Sequence, residues 1–289
     1  MYHLLNAVLL ACNAAAWSGW STLRPIGTIR SVYDTKFGAP RQGAIVPDAI
    51  ALLTIDSPGV DAHQALDGLD AYSHIWLLWA AHLNQHDAVQ AKVRAPKLRG
   101  GKAGLFSTRS PFRPNPIGLS LVKLDVVDGK TLRLSGVDLV DGTPVIDVKP
   151  YLPQYDAPQP GAPVSTAEWV DPPPLEDVSF APEAEAALHE TSRLRAARAT
   201  TAAASGRAAT ALMSDAAQLR RAIVQTLAAD PRPMYRWKRE QSGVAESADY
   251  DVSVDGVAWR CRFERCEGAS EEEPTTERVT VLGLGSDES

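Results

Sequence analysis

The sequence predicts a mainly β protein: a β-barrel over residues 23–155, followed by a small α+β domain over 206–284. Two observations carry the first half of that reading. Between Leu23 and Tyr155, short apolar runs alternate with Gly, Pro and Asp-Gly turn signals at a spacing of roughly 8–12 residues. The same region offers only one good helical stretch. The second half rests on a third observation, a single amphipathic helix followed by three β-type segments. A chain of 289 residues suffices for one large or two modest domains with real cores.

Taken in order, "RPIGTIRSVY" alternates as a strand does, and "AIVPDAIALLTID" continues with β-branched residues broken by a proline turn. "QALDGLDAYSHIWLLWAAH" reads as a short helix, a glycine turn and a buried apolar run. His82 and His86 follow at i,i+4 spacing and are expected on an amphipathic helix. The spacing would also suit a metal, but no third ligand is near, so none is assigned. In "GLSLVKLDVVDGKTLRLSGVDLVDGTPVIDVKPYL" the Asp-Gly pairs at 128–129 and 141–142 are expected as hairpin turns.

A proline-rich stretch then breaks regular structure, and residues 156–205 are expected as a Pro/Ala-rich linker, with "TTAAASG" as a flexible insertion. "SDAAQLRRAIVQTLAADPRP" is an amphipathic helix capped by Ser214 or Asp215 and closed at Asp230-Pro231. "YDVSVDGVAWRCRFE" turns tightly at Asp255-Gly256, "EGASEEEPTTE" is an acidic loop, "ERVTVLGL" is a third strand, and 285–289 is a tail.

With 45% hydrophobic and 22% charged residues the composition is that of an ordinary soluble globular protein. The net charge of −6 hides an asymmetry: residues 23–155 carry +3 and the remainder −9. Phosphate affinity depends on the local field, so the average does not exclude RNA. Cys12, Cys261 and Cys266 form no disulfide framework, which suits a reducing compartment. No stretch reaches the roughly 20 apolar residues of a membrane span. Residues 1–22 are apolar but lack a basic n-region, so they read as a dispensable extension or an organelle-targeting leader. The expected location is the cytoplasm, or an organelle if that leader is a signal.

The chemistry concentrates in the middle of the first half. Residues 92–113, "KVRAPKLRGGKAGLFSTRSPFR", hold seven Lys and Arg and no acid. Such a run is often only a solvated face, but here the cations sit among prolines and glycines that stiffen the backbone. Guanidinium groups on a stiff loop suit bidentate phosphate binding, so Arg94, Lys97, Arg99, Lys102 and Arg113 are the RNA-contact candidates. Phe106 and Phe112 offer either stacking surfaces or core anchors. In "RPNPIG" the proline after Asn115 restricts its backbone and aims its amide, unless the segment is merely a stiff turn. Asp138 and Asp141 flank an apolar pair, placed to accept hydrogen bonds or to cap a turn. "RGGKAG" lacks GxGxxG spacing, so a Rossmann cofactor site has no support.

"IGTIRSVYDTKFGAPRQ", "YSHIWLL", "GLFSTRSPFRPNPIGLSLV" and "SGVDLVDGTPVIDVKPYLP" resemble successive blocks of the TsaA-like (TrmO-type) tRNA methyltransferases. "LAADPRPMYR" and the hairpin after it resemble the C-terminal domain of the family's longer members. The resemblance implies a homodimeric, S-adenosylmethionine-binding β-barrel that methylates N6-threonylcarbamoyladenosine at position 37, in the tRNA anticodon loop. By similarity, cofactor contacts fall on Pro40, Arg41, Gln42, Ser73, His74, Arg109, Leu119, Asp138, Leu139, Val140 and Asp141. Asn115 is the hypothesised catalytic acceptor for the adenine amine. Two alternatives stand beside this reading: methyl transfer to another substrate, and a non-catalytic RNA-binding adaptor of the same fold.

Overall fold

A computed structural model describes residues 23–36, 38–84, 89–94, 101–167, 169–170, 177–204, 211–231, 249–266 and 276–285. Inward-facing apolar rows decide the first half. Ile29 in β1 (Gly27–Ser31), Leu53 in β2 (Ile50–Ile55), and Ile75 and Leu77 in β3 (His74–Ala80) all point inward. So do Val122 in β6 (Ile117–Asp128), Leu132 and Leu134 in β7 (Thr131–Ser135) and Val145 in β8 (Pro144–Pro150). Burying these rows simultaneously closes the sheet on itself, and the six strands form an antiparallel barrel in the order β1-β2-β7-β6-β3-β8. Between β3 and β6 a separate two-stranded ribbon pairs β4 (Lys92–Arg94) with β5 (Lys102–Gly104).

Asp128-Gly129 is the expected hairpin turn joining β6 to β7, with Gly129 at φ 58°. Asp141-Gly142 is not a hairpin. Gly142 does turn the chain, at φ 76°, but the strands it separates, β7 and β8, are kept apart by β6 and β3. The expected helix at His82 is also absent. "HIWLLWA" is β3, because Ile75 and Leu77 alternate into the barrel, and His82 lies in a turn with its N–H on Ala80 O at 2.9 Å. His86, residues 1–22 and most of the acidic loop lie outside the described residues.

The second half builds a four-stranded sheet in the order β10-β11-β12-β9. Its strands are β9 (Asp177–Phe180), β10 (Asp249–Val254), β11 (Val257–Cys266) and β12 (Thr276–Leu284). The hairpin at Asp255-Gly256 has φ 54° and 74°, the positive-φ pair that a tight turn between twisted strands requires. Residues 156–205, expected as a linker, contain β9, which pairs in parallel with β12, and a 23-residue helix. The short α1 (Ala62–Ala65) and α2 (Pro153–Asp156) precede that helix, which is α3 (Pro182–Ala204). Residues 200–204 of the expected flexible insertion simply prolong it, Thr200 and Thr201 donating their hydroxyls back to Ala196 O and Ala197 O. The helix α4 (Ala216–Ala228) is capped by Asp215, whose carboxylate accepts the Gln218 N–H at 2.8 Å. No described helix is long and apolar enough to cross a membrane.

The two halves share one contiguous apolar core, which runs from Ile29, Val32 and Tyr33 to Leu219, Ile223, Val252 and Trp259. Polar links fasten the chain between β1 and β2 to the second half. Asp48 accepts from Arg221 Nη2 at 3.0 Å and Gln225 Nε2 at 2.9 Å, Ser253 Oγ donates to Asp34 at 3.1 Å, and Asp255 N–H donates to Val32 O at 2.5 Å.

Asp255 is also the electrostatic centre of the second half. Its buried carboxylate accepts from Met213 N at 2.8 Å and Leu212 N at 3.0 Å and pairs with Arg195 Nη1 at 2.9 Å. Arg195 in turn donates to Met213 O and Asp255 O. Burial pushes the Asp255 carboxyl above its ordinary range, and the hydrogen bonds and Arg195 pull it back. Removing one member strands the other in the core. Arg195→Ala is therefore expected to lose about 3–5 kcal/mol of unfolding free energy in urea titrations. A loss below about 1 kcal/mol would place the pair with dispensable surface bridges.

Candidate functional site

Four chain segments meet at one end of the barrel: the β1–β2 loop, the turn after β3, the basic loop 105–116 and the 136–143 loop before β8. Hydrogen bonds between segments fix them. Arg109 Nη1 donates to Gln42 Oε1, and within the β1–β2 loop itself Gln42 Nε2 donates to Arg41 O. Asn84 Nδ2 donates to Pro111 O at 2.8 Å, Ala81 N–H donates to Pro116 O at 2.8 Å, and Lys36 Nζ donates to Leu83 O. A Cβ placed on Gly142 would lie 3.9 Å from His82 Nε2, which brings that turn against the 136–143 loop.

Asp138 sits at the heart of this cluster. Ser120 Oγ donates to its Oδ1 at 2.6 Å, and Trp79 Nε1 donates to Ser120 Oγ at 3.0 Å. The indole lies flat over β6, where Gly118 pairs with Trp79; a Cβ on Gly118 would approach ring atoms to 2.1 Å. The glycine of "RPNPIG" is thus required by the ring above it. Burial raises the Asp138 carboxyl above the ordinary carboxylate range, while Ser120 and the positive charge of Arg109 draw it back. Neither Trp79 nor Ser120 was anticipated. The available signal was the period-2 pattern of "IGLSLV", which places a hydroxyl in the inward row between Gly118 and Val122.

Of the expected cofactor residues, the structure brings together Gln42, Arg109 and Asp138, three positions from three distant blocks. Pro40 is buried beside them, while Arg41 faces the negative charge of Asp230 at the end of α4. Leu139 is a core residue; Val140 O accepts from Thr143 Oγ1 at 2.6 Å; and Asp141 Oδ1 accepts the Ser31 N–H at 2.8 Å, anchoring the loop to β1. Leu119, 56% exposed, points away from the barrel interior. Ser73 and His74 do not join the cluster. They hydrogen-bond to each other at 2.9 Å at the opposite end of β3, about 16 Å along the strand from Trp79.

Among the cation candidates, Arg94 and Lys102 are exposed and stand directly opposite each other on the β4–β5 ribbon. Arg113 turns inward: its Nη1 donates to Thr108 O at 2.8 Å and Ser110 O at 3.4 Å, and its guanidinium lies 5.4 Å from the Phe106 ring centroid. Lys97 and Arg99 lie outside the described residues. Asn115 is exposed; its carbonyl accepts the Ile117 N–H at 2.7 Å, and its side-chain amide makes no hydrogen bond among the described residues. Those residues hold no group of three or more His, Cys, Asp or Glu arranged to bind a metal.

A family model, tRNA-methyltransferase O N-terminal domain, matches residues 28–157, the barrel and every segment of this cluster. A tRNA (adenine(37)-N6)-methyltransferase of Escherichia coli is 40% identical over 223 residues, 75% of this chain and 84% of that protein. The chain belongs to the tRNA-methyltransferase O family. A crystal structure of TrmO superimposes with a TM-score of 0.61 at 29% identity, covering 92% of this chain and 99% of that one. The mouse protein named tRNA (adenine(37)-N6)-methyltransferase is 48% identical over 136 residues, but the chain spans only about a third of it, 32%. A probable S-adenosyl-L-methionine-binding protein of Methanothermobacter thermautotrophicus is 38% identical over 135 residues, 47% of this chain and 93% of that protein.

A raised Asp138 pKa means that the folded state holds the proton more tightly than the unfolded one. The stability this contributes is full below the ordinary carboxylate pKa and is lost as pH rises through the folded value. Asp138→Asn, which keeps the acceptor for Ser120, is expected to gain stability relative to the parent as pH rises through that window. A parent-to-variant difference in denaturation midpoint that stays flat with pH would show Asp138 to be as well solvated folded as unfolded.

Proposed function

We propose that the protein transfers a methyl group from S-adenosylmethionine to N6 of N6-threonylcarbamoyladenosine at position 37 of tRNA. The observation that carries this reading is the junction of Gln42, Arg109 and Asp138 beside the Asn115 loop, in a chain that spans most of the Escherichia coli methyltransferase. The residues present fit the cofactor. Asp138 Oδ1 is taken by Ser120, which leaves Oδ2 without a side-chain partner among the described residues and able to accept ribose hydroxyls. Arg109 offers a guanidinium to a carboxylate, and Leu119 an exposed apolar surface. Pro40, Arg41, Gln42, Leu139, Val140 and Asp141 complete the proposed binding set. When bound, S-adenosylmethionine supplies an electrophilic methyl carbon.

The chain's own contribution is alignment and polarisation. The amine of adenine is a poor nucleophile because its lone pair is delocalised into the ring. Asn115 Oδ1, held on a proline-stiffened loop, accepts the N6–H and localises that lone pair on nitrogen. Position 37 lies in a single-stranded loop, so its base is presented without opening a duplex. Arg94 and Lys102, with Lys97 and Arg99, take the neighbouring phosphates. Like charges directly opposite on a ribbon are unfavourable alone, and a phosphate between them removes the cost.

A homodimer is part of this proposal. The outward row of β3 and β6, with Trp76, Leu78, Ile117, Leu119 and Leu121, is apolar and partly exposed. A second copy packed there would bring its own Ser73 and His74 toward the site that those residues cannot reach within one chain.

Labelled methyl transfer to tRNA with and without threonylcarbamoylation tests the reaction, with nucleoside mass spectrometry identifying the product. Label is expected only on the carbamoylated tRNA, and equal labelling of unmodified tRNA would refute the substrate. Asn115→Ala is expected to lower kcat about 10-fold, the worth of one hydrogen bond, with cofactor affinity intact. An unchanged kcat would remove Asn115 from the reaction. tRNA affinity should fall steeply with salt, and Lys102→Ala should reduce the log–log slope by about 1; a flat salt response of the parent would count against phosphate binding.

A further inference from the structure

Phe106 occupies the short 3-10 turn Leu105–Ser107 directly after β5. Its neighbour Leu105 is buried at 4% exposure, whereas the Phe106 ring is left 78% exposed. The ring is nevertheless held. The Arg113 guanidinium lies over it at 5.4 Å from the centroid, and Thr108 O and Ser110 O fix that guanidinium from within the same loop. A cation against one face polarises the ring and secures its orientation, while the bulk of its surface stays open to solvent.

The surroundings say what kind of molecule suits that open surface. The ribbon leading into Phe106 carries Lys92 and the facing pair Arg94 and Lys102, and residues 92–113 contain no acid. A planar apolar surface rimmed by cations matches a flat aromatic ligand that carries negative charge at its edge. An unpaired nucleobase with its flanking phosphates has both properties. An aliphatic or acidic protein segment offers only one of them.

We infer that Phe106, backed by Arg113, is a stacking platform for an unpaired anticodon-loop nucleobase next to the methylated one. Phe106 is then a substrate-binding residue: it adds affinity for the anticodon loop without touching the reacting atoms. Arg113, read from sequence as a phosphate ligand, acts through the ring instead. The inference rests on the proposed RNA substrate, because the target base itself is assigned to Asn115.

The test compares the parent protein with Phe106→Leu and Phe106→Trp, using full-length threonylcarbamoylated tRNA for kinetics. For binding it uses anticodon stem-loops in which one loop nucleotide at a time is abasic. Phe106→Leu is expected to raise the KM for tRNA roughly 5- to 150-fold, the range of one base–aromatic stack, with kcat at saturating tRNA and S-adenosylmethionine affinity retained. Phe106→Trp is expected to restore the KM. One abasic position should weaken binding to the parent by a similar factor and cost the Leu variant nothing further. A Leu variant with parental KM, a Trp variant as weak as Leu, or full additivity at every abasic position overturns the platform while leaving the substrate reading intact. A parent protein that neither methylates nor binds any tRNA overturns both.

Discussion

The closing seam of the barrel, β1 against β8, is the constraint on which the site depends. The two strands pair through only two residues each, Gly27 with Val145 and Thr28 with Pro144. A proline has no N–H to give, so the ladder cannot continue there by ordinary pairing. The chain before Pro144 continues it by other means: Ile29 N–H donates to Thr143 O, Gly142 N–H to Ile29 O, Ser31 N–H to Asp141 Oδ1 and Asp141 N–H to Tyr33 O. Closing the barrel and positioning the 136–143 loop are therefore one event. Asp138 is delivered to Ser120 and Trp79 because Asp141 finishes the seam. Of the two aspartates that the sequence groups together, Asp141 ties into the seam through Oδ1 and Asp138 faces the cluster.

Local signals in the sequence were sound where the physics is local. Alternation located β1, apolar runs between turn signals marked the rest of the barrel, the Asp255-Gly256 turn needed only its two positive φ angles, and the Asp215 cap needed only a side chain three residues from a free N–H. Pairing is non-local and was not legible. Asp141-Gly142 looks like Asp128-Gly129 in composition, yet only barrel order decides that the first joins non-neighbouring strands. The helix α3 escaped notice for a different reason. It has no continuous apolar stripe, and it meets the sheet through Ala184, Leu188 and the buried Arg195, a residue that reads as surface until its partner Asp255 is in view.

The candidate site shows the same division. Arg109 stands out in sequence as a cation on a stiff loop, but its partner Gln42 lies 67 residues away, and nothing local announces the pair. Ser120 and Trp79 are ordinary barrel residues by composition, and their hydrogen bonds alone connect them to Asp138. Arg113 was legible as a charge, whereas its direction was fixed by two carbonyls of its own loop.

The β1–β2 loop is gripped from two sides. Its middle meets Arg109 through Gln42, while Val32, Asp34 and Asp48 are fastened to β10, β11's hairpin and α4 of the second half. A ligand that bound only the arrangement in which both grips hold would, by mass action, stabilise the second half as well. Such binding would be readable at a distance, as slower amide exchange in the four-stranded sheet of the second half.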